Sequence, residues 1–441
     1  MIQKEPFIQV GVLEGYHEVR GQFQGSVAVN GRAFPPSDFA VTLEDGSLVM
    51  RIAGEKMIAR GAEIRCVLTS GECFLLREVT IGVKFHWERK EDQRFEGNLR
   101  LVGRADGTVT AINEISVEEY LKSVISSEMS AEAPVELLKA HAITSRSWLV
   151  AMLERAKTTT SATPTGWKTP AEIIRWYTRE DHDIYDVCAD DHCQRYQGVT
   201  KIISPAVNDV VEQTRGVFLV YGGEICDARF YKACGGLTEE FRSSWEETDV
   251  PYLQTVADSP THYPPVRTEQ DAEQWILSRP EAYCNTEDPL ILSQILPSFD
   301  QETTDFFRWK VEYERKELEE LLYQKSGIDF GTLLDLVPIQ RGPSGRIVRL
   351  KVVGTKASIV VGKDLEIRRW LSPSHLYSSA FLVRAERDSA GIPSRFVLHG
   401  AGWGHGVGLC QIGAAIMAVK GIRADEIVRH YFPGAVLQKI Y

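Results

Sequence analysis

The chain has 441 residues, 43% of them hydrophobic, which is enough to bury a sizeable core in two or three domains. Its formal net charge of −11 argues against a nucleic-acid partner, which selects a basic surface. No apolar run approaches the roughly 18 residues of a membrane helix, and the opening Met1-Ile-Gln-Lys-Glu-Pro6 lacks the charged start and apolar middle of a secretory signal. Eight cysteines, at 66, 73, 188, 193, 226, 234, 284 and 410, are too dispersed for a disulfide framework, so most read as buried thiols.

Residues 1–95 run in short stretches of alternating apolar and polar residues, at 7–13, 26–30, 39–43 and 47–52. Asn30-Gly31 and Asp45-Gly46 fall between such stretches, and type I′ turns need residues that accept positive φ, so an antiparallel β region is predicted. Residues 95–112, with Asp106-Gly107 at their centre, form a further hairpin. Ser116 with Glu119 reads as a capping box, and Val117, Leu121, Val124 and Ile125 then share one helical face. That helix should run out near Met129, because Pro134 suits the first turn of a second helix with the buried stripe Leu138, Ala142, Ser145, Leu149 and Met152. Glu128 is thereby predicted at a helix end beside a tight connection, where a side chain can be aimed.

Further on, the Thr-rich stretch 157–166 reads as a loop, 206–214 as a helix, and 217–221 as the start of a hairpin whose return strand enters Cys234-Gly235-Gly236. From 259 to 336 the pattern is helical and acidic, clearest at 271–277 and 309–323. Strands return over 346–399, before a Gly-rich segment and two closing helices. Strand blocks and helix blocks are segregated, which predicts α+β rather than a doubly wound sheet. The expected organisation is an N-terminal β region (1–95), a core with the helical pair and a Cys/His loop (96–258), an acidic helical insertion (259–338), and a C-terminal β region whose Gly-rich turn completes the core (339–441).

Three ordered segments carry a family resemblance. They are Glu119-Tyr-Leu-Lys-Ser-Val-Ile-Ser-Ser-Glu-Met129 with Pro134 and Leu138-Lys-Ala-His-Ala-Ile-Thr-Ser-Arg146; Phe230-Tyr-Lys-Ala-Cys-Gly-Gly-Leu-Thr-Glu239; and Gly402-Trp-Gly-His-Gly-Val-Gly-Leu-Cys-Gln411 with His430-Tyr-Phe-Pro-Gly434. Together they resemble the stage II sporulation protein D family, and the N-terminal β region carries little of the match. The resemblance implies a peptidoglycan lytic transglycosylase, which cleaves the bond between N-acetylmuramic acid and N-acetylglucosamine without water. Glu128 matches the glutamate of the family's Glu-Met pair and would act as acid and then base. The leaving oxygen needs a proton, so the carboxyl must hold one near neutral pH, a state that burial against Ile125 and Met129 favours. The sugar's own C6 hydroxyl can then close a 1,6-anhydro ring, so one carboxylate suffices where a hydrolase uses two. Glu118, Glu119, Glu132 and Glu136 read as capping or solvent-facing charges.

His182-Asp-Ile-Tyr-Asp-Val-Cys-Ala-Asp-Asp-His-Cys193 has imidazoles and thiols at separations that can close around zinc. Some members of the family bind zinc through a histidine followed by two cysteines, which map onto His182, Cys188 and Cys193, with His192 as a substitute ligand. The implied ion orders the loop rather than generating a hydroxide. A buried thiol pair with two surface histidines is the plain alternative. Alternate glycines in 402–408 permit close approach of a backbone or ligand. They predict the floor of a sugar groove, with Trp403 stacking, His405 donating a hydrogen bond, Gln411 reaching an acetamido group and Tyr231 orienting Glu128 or the substrate. His141 stands where the family commonly has glutamine and receives no catalytic role. The expected partner is the peptidoglycan glycan strand, which implies the cell envelope. The related amidase-enhancer proteins supply the rival reading, a non-catalytic glycan-binding module that stimulates a cell-wall amidase.

Overall fold

Asn30 and Gly31 take φ of 46° and 85°, and Asp45 and Gly46 take 49° and 76°. These are the paired positive values of a tight hairpin turn. They join Val27–Val29 to Arg32–Phe34 and Ser37–Glu44 to Ser47–Ile52. The computed structural model describes residues 2–59, 61–83, 88–158, 165–177, 182–297, 300–301 and 303–441, and the fold is α+β. The loop expected at 157–166 lies, for 159–164, outside the described residues. Among the described residues no helix is long and apolar enough to cross a membrane. The chain divides into two compact units.

The first unit holds residues 1–132, 179–217 and 439–441. All of the expected 1–95 region falls in it, whereas 96–258 is shared between the units. Six strands, in the order Arg89–Glu96, Cys73–Ile81, Glu18–Phe23, Ser37–Glu44, Ser47–Ile52, Glu55–Ile58, make one antiparallel sheet. A second sheet has the order Val187–Cys188, Phe7–Tyr16, Val109–Ser116, Asn98–Gly103, Glu63–Leu68, Val27–Val29, Arg32–Phe34. The sheets pack face to face over alternate side chains that include Val10, Val19, Val41, Phe74, Leu99 and Leu101. Val109–Ser116 runs straight into helix α1 (Val117–Glu128). Ser116 Oγ accepts the Glu119 N–H, while the Glu119 carboxylate pairs with Lys122 instead of closing the box. Helix α1 buries Val117, Tyr120, Leu121, Val124 and Ile125 and packs on α3 (Ala206–Gln213); α2 (Val135–Thr158) belongs to the other unit. Glu118 is no solvent-facing charge: it is 1% exposed and accepts the Gly216 N–H and the Tyr441 hydroxyl.

The second unit holds 133–178 and 218–438. Its acidic stretch carries the helices Glu269–Leu277, Pro289–Ile295 and Arg315–Ser326. The single helix predicted over 309–323 is instead the strand Arg308–Glu314 followed by that last helix. Period-two alternation decides the strand: Trp309 and Tyr313 are buried in a core with Leu318, Phe330, Ile347, Leu350, Trp370 and Leu398. Arg308–Glu314 pairs with Pro393–Ala401, and Leu333–Arg341 with Ile347–Gly354. Glu136 accepts the Ala424 N–H and so caps the helix Ala424–Tyr431.

Candidate active site and metal centre

Glu128 is the last residue of α1, 8% exposed, between the fully buried Ile125 and Met129. Its Oε1 accepts the Arg195 N–H at 2.9 Å, which fixes the carboxyl's orientation. The segment 194–197 is moored along α1 on both sides of that bond. The Tyr120 hydroxyl donates to Gln194 Oε1 at 3.2 Å, and the Gln197 N–H donates to Ser123 Oγ at 3.0 Å. Tyr196 stacks on Tyr120 with centroids 5.0 Å apart, and its hydroxyl donates to Asn113 Oδ1 at 2.5 Å. The Arg195 guanidinium is held by Asp191 at 2.6 Å.

The Cys/His loop leads directly into this segment. His182 Nε2 lies 3.3 Å from Cys193 Sγ, and His192 Nδ1 lies 3.4 Å from the same sulfur. One donor atom from each of His182, Cys188, His192 and Cys193 lies within 4.8 Å of all the others. Tetrahedral zinc with its usual bond lengths sets ligand atoms about 3.3–3.8 Å apart, so the donor set and spacing fit such an ion, and four protein donors make a closed site. The Cys193 thiol, with His182 and His192 after it, holds the Cys188 thiol well below its ordinary range against the opposing effect of burial, which favours the ligating thiolate.

Residues far away in sequence hold this loop. Val187–Cys188 adds in parallel to Phe7–Tyr16, with the Asp186 N–H on Gln9 O and the Ala189 N–H on Gly11 O. Arg104 grips Asp183 through two bonds of 3.1 and 2.7 Å, and Asp190 accepts the Gly82 and Val83 N–H groups. A Cβ on Gly11 would stand 2.6 Å from the Tyr185 ring. Gly11→Ala is therefore expected to cost about 1–3 kcal/mol by overpacking, read as a lower urea midpoint with unchanged slope. Neither the Arg195 amide nor the Gly11 contact had a signal in the sequence.

In the second unit the Gly-rich turn is zipped to the Phe230–Glu239 stretch by parallel pairing of Phe230–Tyr231 with Leu409–Cys410 and by bridges Ala233 to Trp403 and Glu239 to Val407. Gly406 has φ of 84°, and a Cβ there would meet the buried Arg346 guanidinium at 2.4 Å. That guanidinium donates to Gly404 O and Cys234 O, a support that sequence reasoning missed. Trp403 packs against Tyr377 and Phe306 at centroid distances of 4.2 and 4.9 Å. His405 lies between Tyr231 and Trp245, its Nδ1 accepting the Val407 N–H; burial, then Arg229, hold it well below its ordinary value and therefore neutral. The structure thus brings Tyr231, Trp403 and His405 together.

Gln411 faces inward. It is 1% exposed, and its Nε2 lies 2.9 Å from His141 Nε2, whose Nδ1 is 3.1 Å from Ser145 Oγ. Burial, with Lys232 after it, lowers His141 to about 3. An unfolded histidine titrates near 6.5, so between those values only the unfolded chain takes the proton, and His141's contribution to stability is lost as pH falls through that window. His141→Gln should flatten the loss by about 1.4 kcal/mol per pH unit. Urea unfolding at pH 6 and pH 5 checks it.

With this geometry in hand, comparison places the chain among known proteins. A stage II sporulation protein family model matches residues 105–221, and a domain of unknown function (DUF8618) matches 239–408. Stage II sporulation protein D of Bacillus subtilis is 23% identical over 331 residues, 75% of this chain and 76% of that protein. Over most of its length the chain is similar to the stage II sporulation protein D family. An uncharacterised protein of Brachyspira hyodysenteriae is 26% identical over 346 residues, 77% of this chain and 71% of that one. The amidase enhancer of Bacillus subtilis is 24% identical over 331 residues, 72% of this chain but 40% of that protein. The family model spans both Glu128 and the Cys/His loop, whereas Trp403 and His405 fall in the second matched domain.

Proposed function

We propose that the protein acts on the cell wall as a peptidoglycan lytic transglycosylase, with Glu128 as its acid and base. The observation that carries this reading is the burial of Glu128 at a helix end, its carboxyl oriented by the Arg195 N–H of a segment that a loop of clustered Cys and His side chains leads into. The protonated carboxyl gives its proton to the leaving glycosidic oxygen. The C6 hydroxyl oxygen of the muramic sugar bonds to the anomeric carbon, and its proton returns to the carboxylate, so no water is consumed and the acid is regenerated. Zinc is the ion assigned to His182, Cys188, His192 and Cys193; it keeps the loop ordered and so keeps the Arg195 amide in place. Trp403 and His405, both part-exposed, are the sugar-contacting candidates; the buried Tyr231 packs edge-on against His405, whereas Gln411 is buried against His141.

The similarity to an amidase enhancer supports a second reading, a module that grips glycan beside a separate amidase. Mass spectrometry of purified glycan strands, with and without stem peptides, separates the two. Products one water lighter than hydrolytic fragments are expected. Strands that are bound by the zinc-loaded protein but never cut would transfer the assignment to the enhancer.

A further inference from the structure

Three cysteines far apart in the sequence meet in the second unit, away from the Cys/His loop. Cys234 Sγ lies 3.4 Å from Cys284 Sγ, and one donor atom from each of Cys234, Asp258, Cys284 and Cys410 lies within 4.8 Å of all the others. None is more than 2% exposed. We propose that Cys234, Asp258, Cys284 and Cys410 form a second, fully buried site for a single zinc-class divalent ion.

Donor chemistry and distance select the ion. Three thiolates and one carboxylate are a soft, four-donor set, and donor atoms all within 4.8 Å of one another are compatible with one ion and too close for a cluster that spreads its thiolates over several metals. The surroundings also match a metal thiolate centre. The Cys234 N–H points at Cys410 Sγ (3.3 Å), the Gly236 N–H at Cys234 Sγ (3.3 Å), and the Gly413 N–H at Cys410 Sγ (3.4 Å). Backbone donors aimed at sulfur are wasted on weakly accepting thiols but offset the excess negative charge of bound thiolates. Cys410 is the N-cap of the helix Gln411–Val419, so the helix dipole adds to this. Asp258 is oriented like a metal-bound carboxylate: the Tyr431 hydroxyl donates to Oδ1 at 2.5 Å and the Cys284 N–H to Oδ2 at 2.8 Å. Among the described residues no Lys or Arg forms an ion pair with it, and a buried carboxylate without a cation is what a metal resolves. A Cβ on Gly413 would fall 2.2 Å from Asp258 Oδ1, so this helix position must stay bare for the carboxylate to reach the sulfurs.

The ion would rivet three separate segments: the stretch after the strand Phe230–Tyr231, the turn around Cys284, and the helix start that follows the Gly-rich turn. Its role is structural. It fixes the base on which Trp403 and His405 stand, whether or not the protein cuts glycan.

Metal content of the full chain is the test, with Cys188→Ser/Cys193→Ser used to empty the loop site. By native mass spectrometry that variant should keep one zinc per chain, and adding Cys284→Ser should remove it. A folded double variant without metal overturns the proposal. So does an intact mass two hydrogens short, which would report a Cys234–Cys284 disulfide. Should the variants fail to fold, cadmium NMR of the substituted wild type decides: a resonance in the range of three thiolates and one oxygen is expected, and its absence overturns the site.

Discussion

Glu128→Gln is expected to lower strand cleavage by about 10²–10⁴-fold, the usual contribution of a positioned acid or base, while leaving glycan binding and the urea midpoint near wild type. The amide keeps the shape of the carboxyl and an oxygen to accept the Arg195 N–H, so the α1 terminus has no reason to move. What is lost is the proton that the leaving oxygen needs. Glu128→Asp is the informative partner: it retains the acid but withdraws it by one methylene from the Arg195 amide, and such a misplacement costs about 10²-fold. Wild-type rates in Glu128→Gln would remove Glu128 from the chemistry altogether.

The second large effect is expected at the Cys/His loop, on the proposed zinc assignment. Cys193→Ser removes the sulfur that lies against both His182 and His192, and structural zinc contributes roughly 10–16 kcal/mol in small zinc domains. Here the loop is also held by Arg104, Gly82 and the Phe7–Tyr16 strand, so a drop of several kcal/mol rather than global unfolding is the expectation. Amide exchange should rise first at 194–197, and cleavage should fall with it, because the Arg195 N–H that orients Glu128 lies two residues past Cys193. Any residual product should still be one water light. A product that has gained water, made by zinc-loaded protein and abolished by chelation while Glu128→Gln spares it, would instead assign the chemistry to a metal-bound hydroxide.

The parts of the fold that local signals govern were legible in the sequence. Ser116 and Pro134 bracket the α1 terminus, and the observed Val117–Glu128 helix ends where those residues predict. Asn30-Gly31 and Asp45-Gly46 announce their turns because few residues accept positive φ. The strand Arg308–Glu314 was lost because its exposed charged positions resemble an acidic helix when only composition is weighed. His182, Cys188 and Cys193, with His192 as a substitute, were singled out by residue type, and the four side chains lie close together. The Arg195 contact was not, since a backbone N–H has no signature in the sequence. Nor was the convergence of Cys234, Cys284 and Cys410, because separation along the chain gives no measure of separation in space.

The short Val187–Cys188 strand does more than deliver a sulfur. It covers part of the outer margin of the seven-stranded sheet, where the carbonyls of Gln9 and Gly11 would otherwise stand open beside Phe7, itself 75% exposed. An uncovered strand margin is a template for another chain. On the proposed zinc assignment, metal loss at Cys188 reaches beyond reactivity to colloidal behaviour: chelator-treated protein should self-associate, and turbidity would report a released loop while the rest of the molecule is still folded.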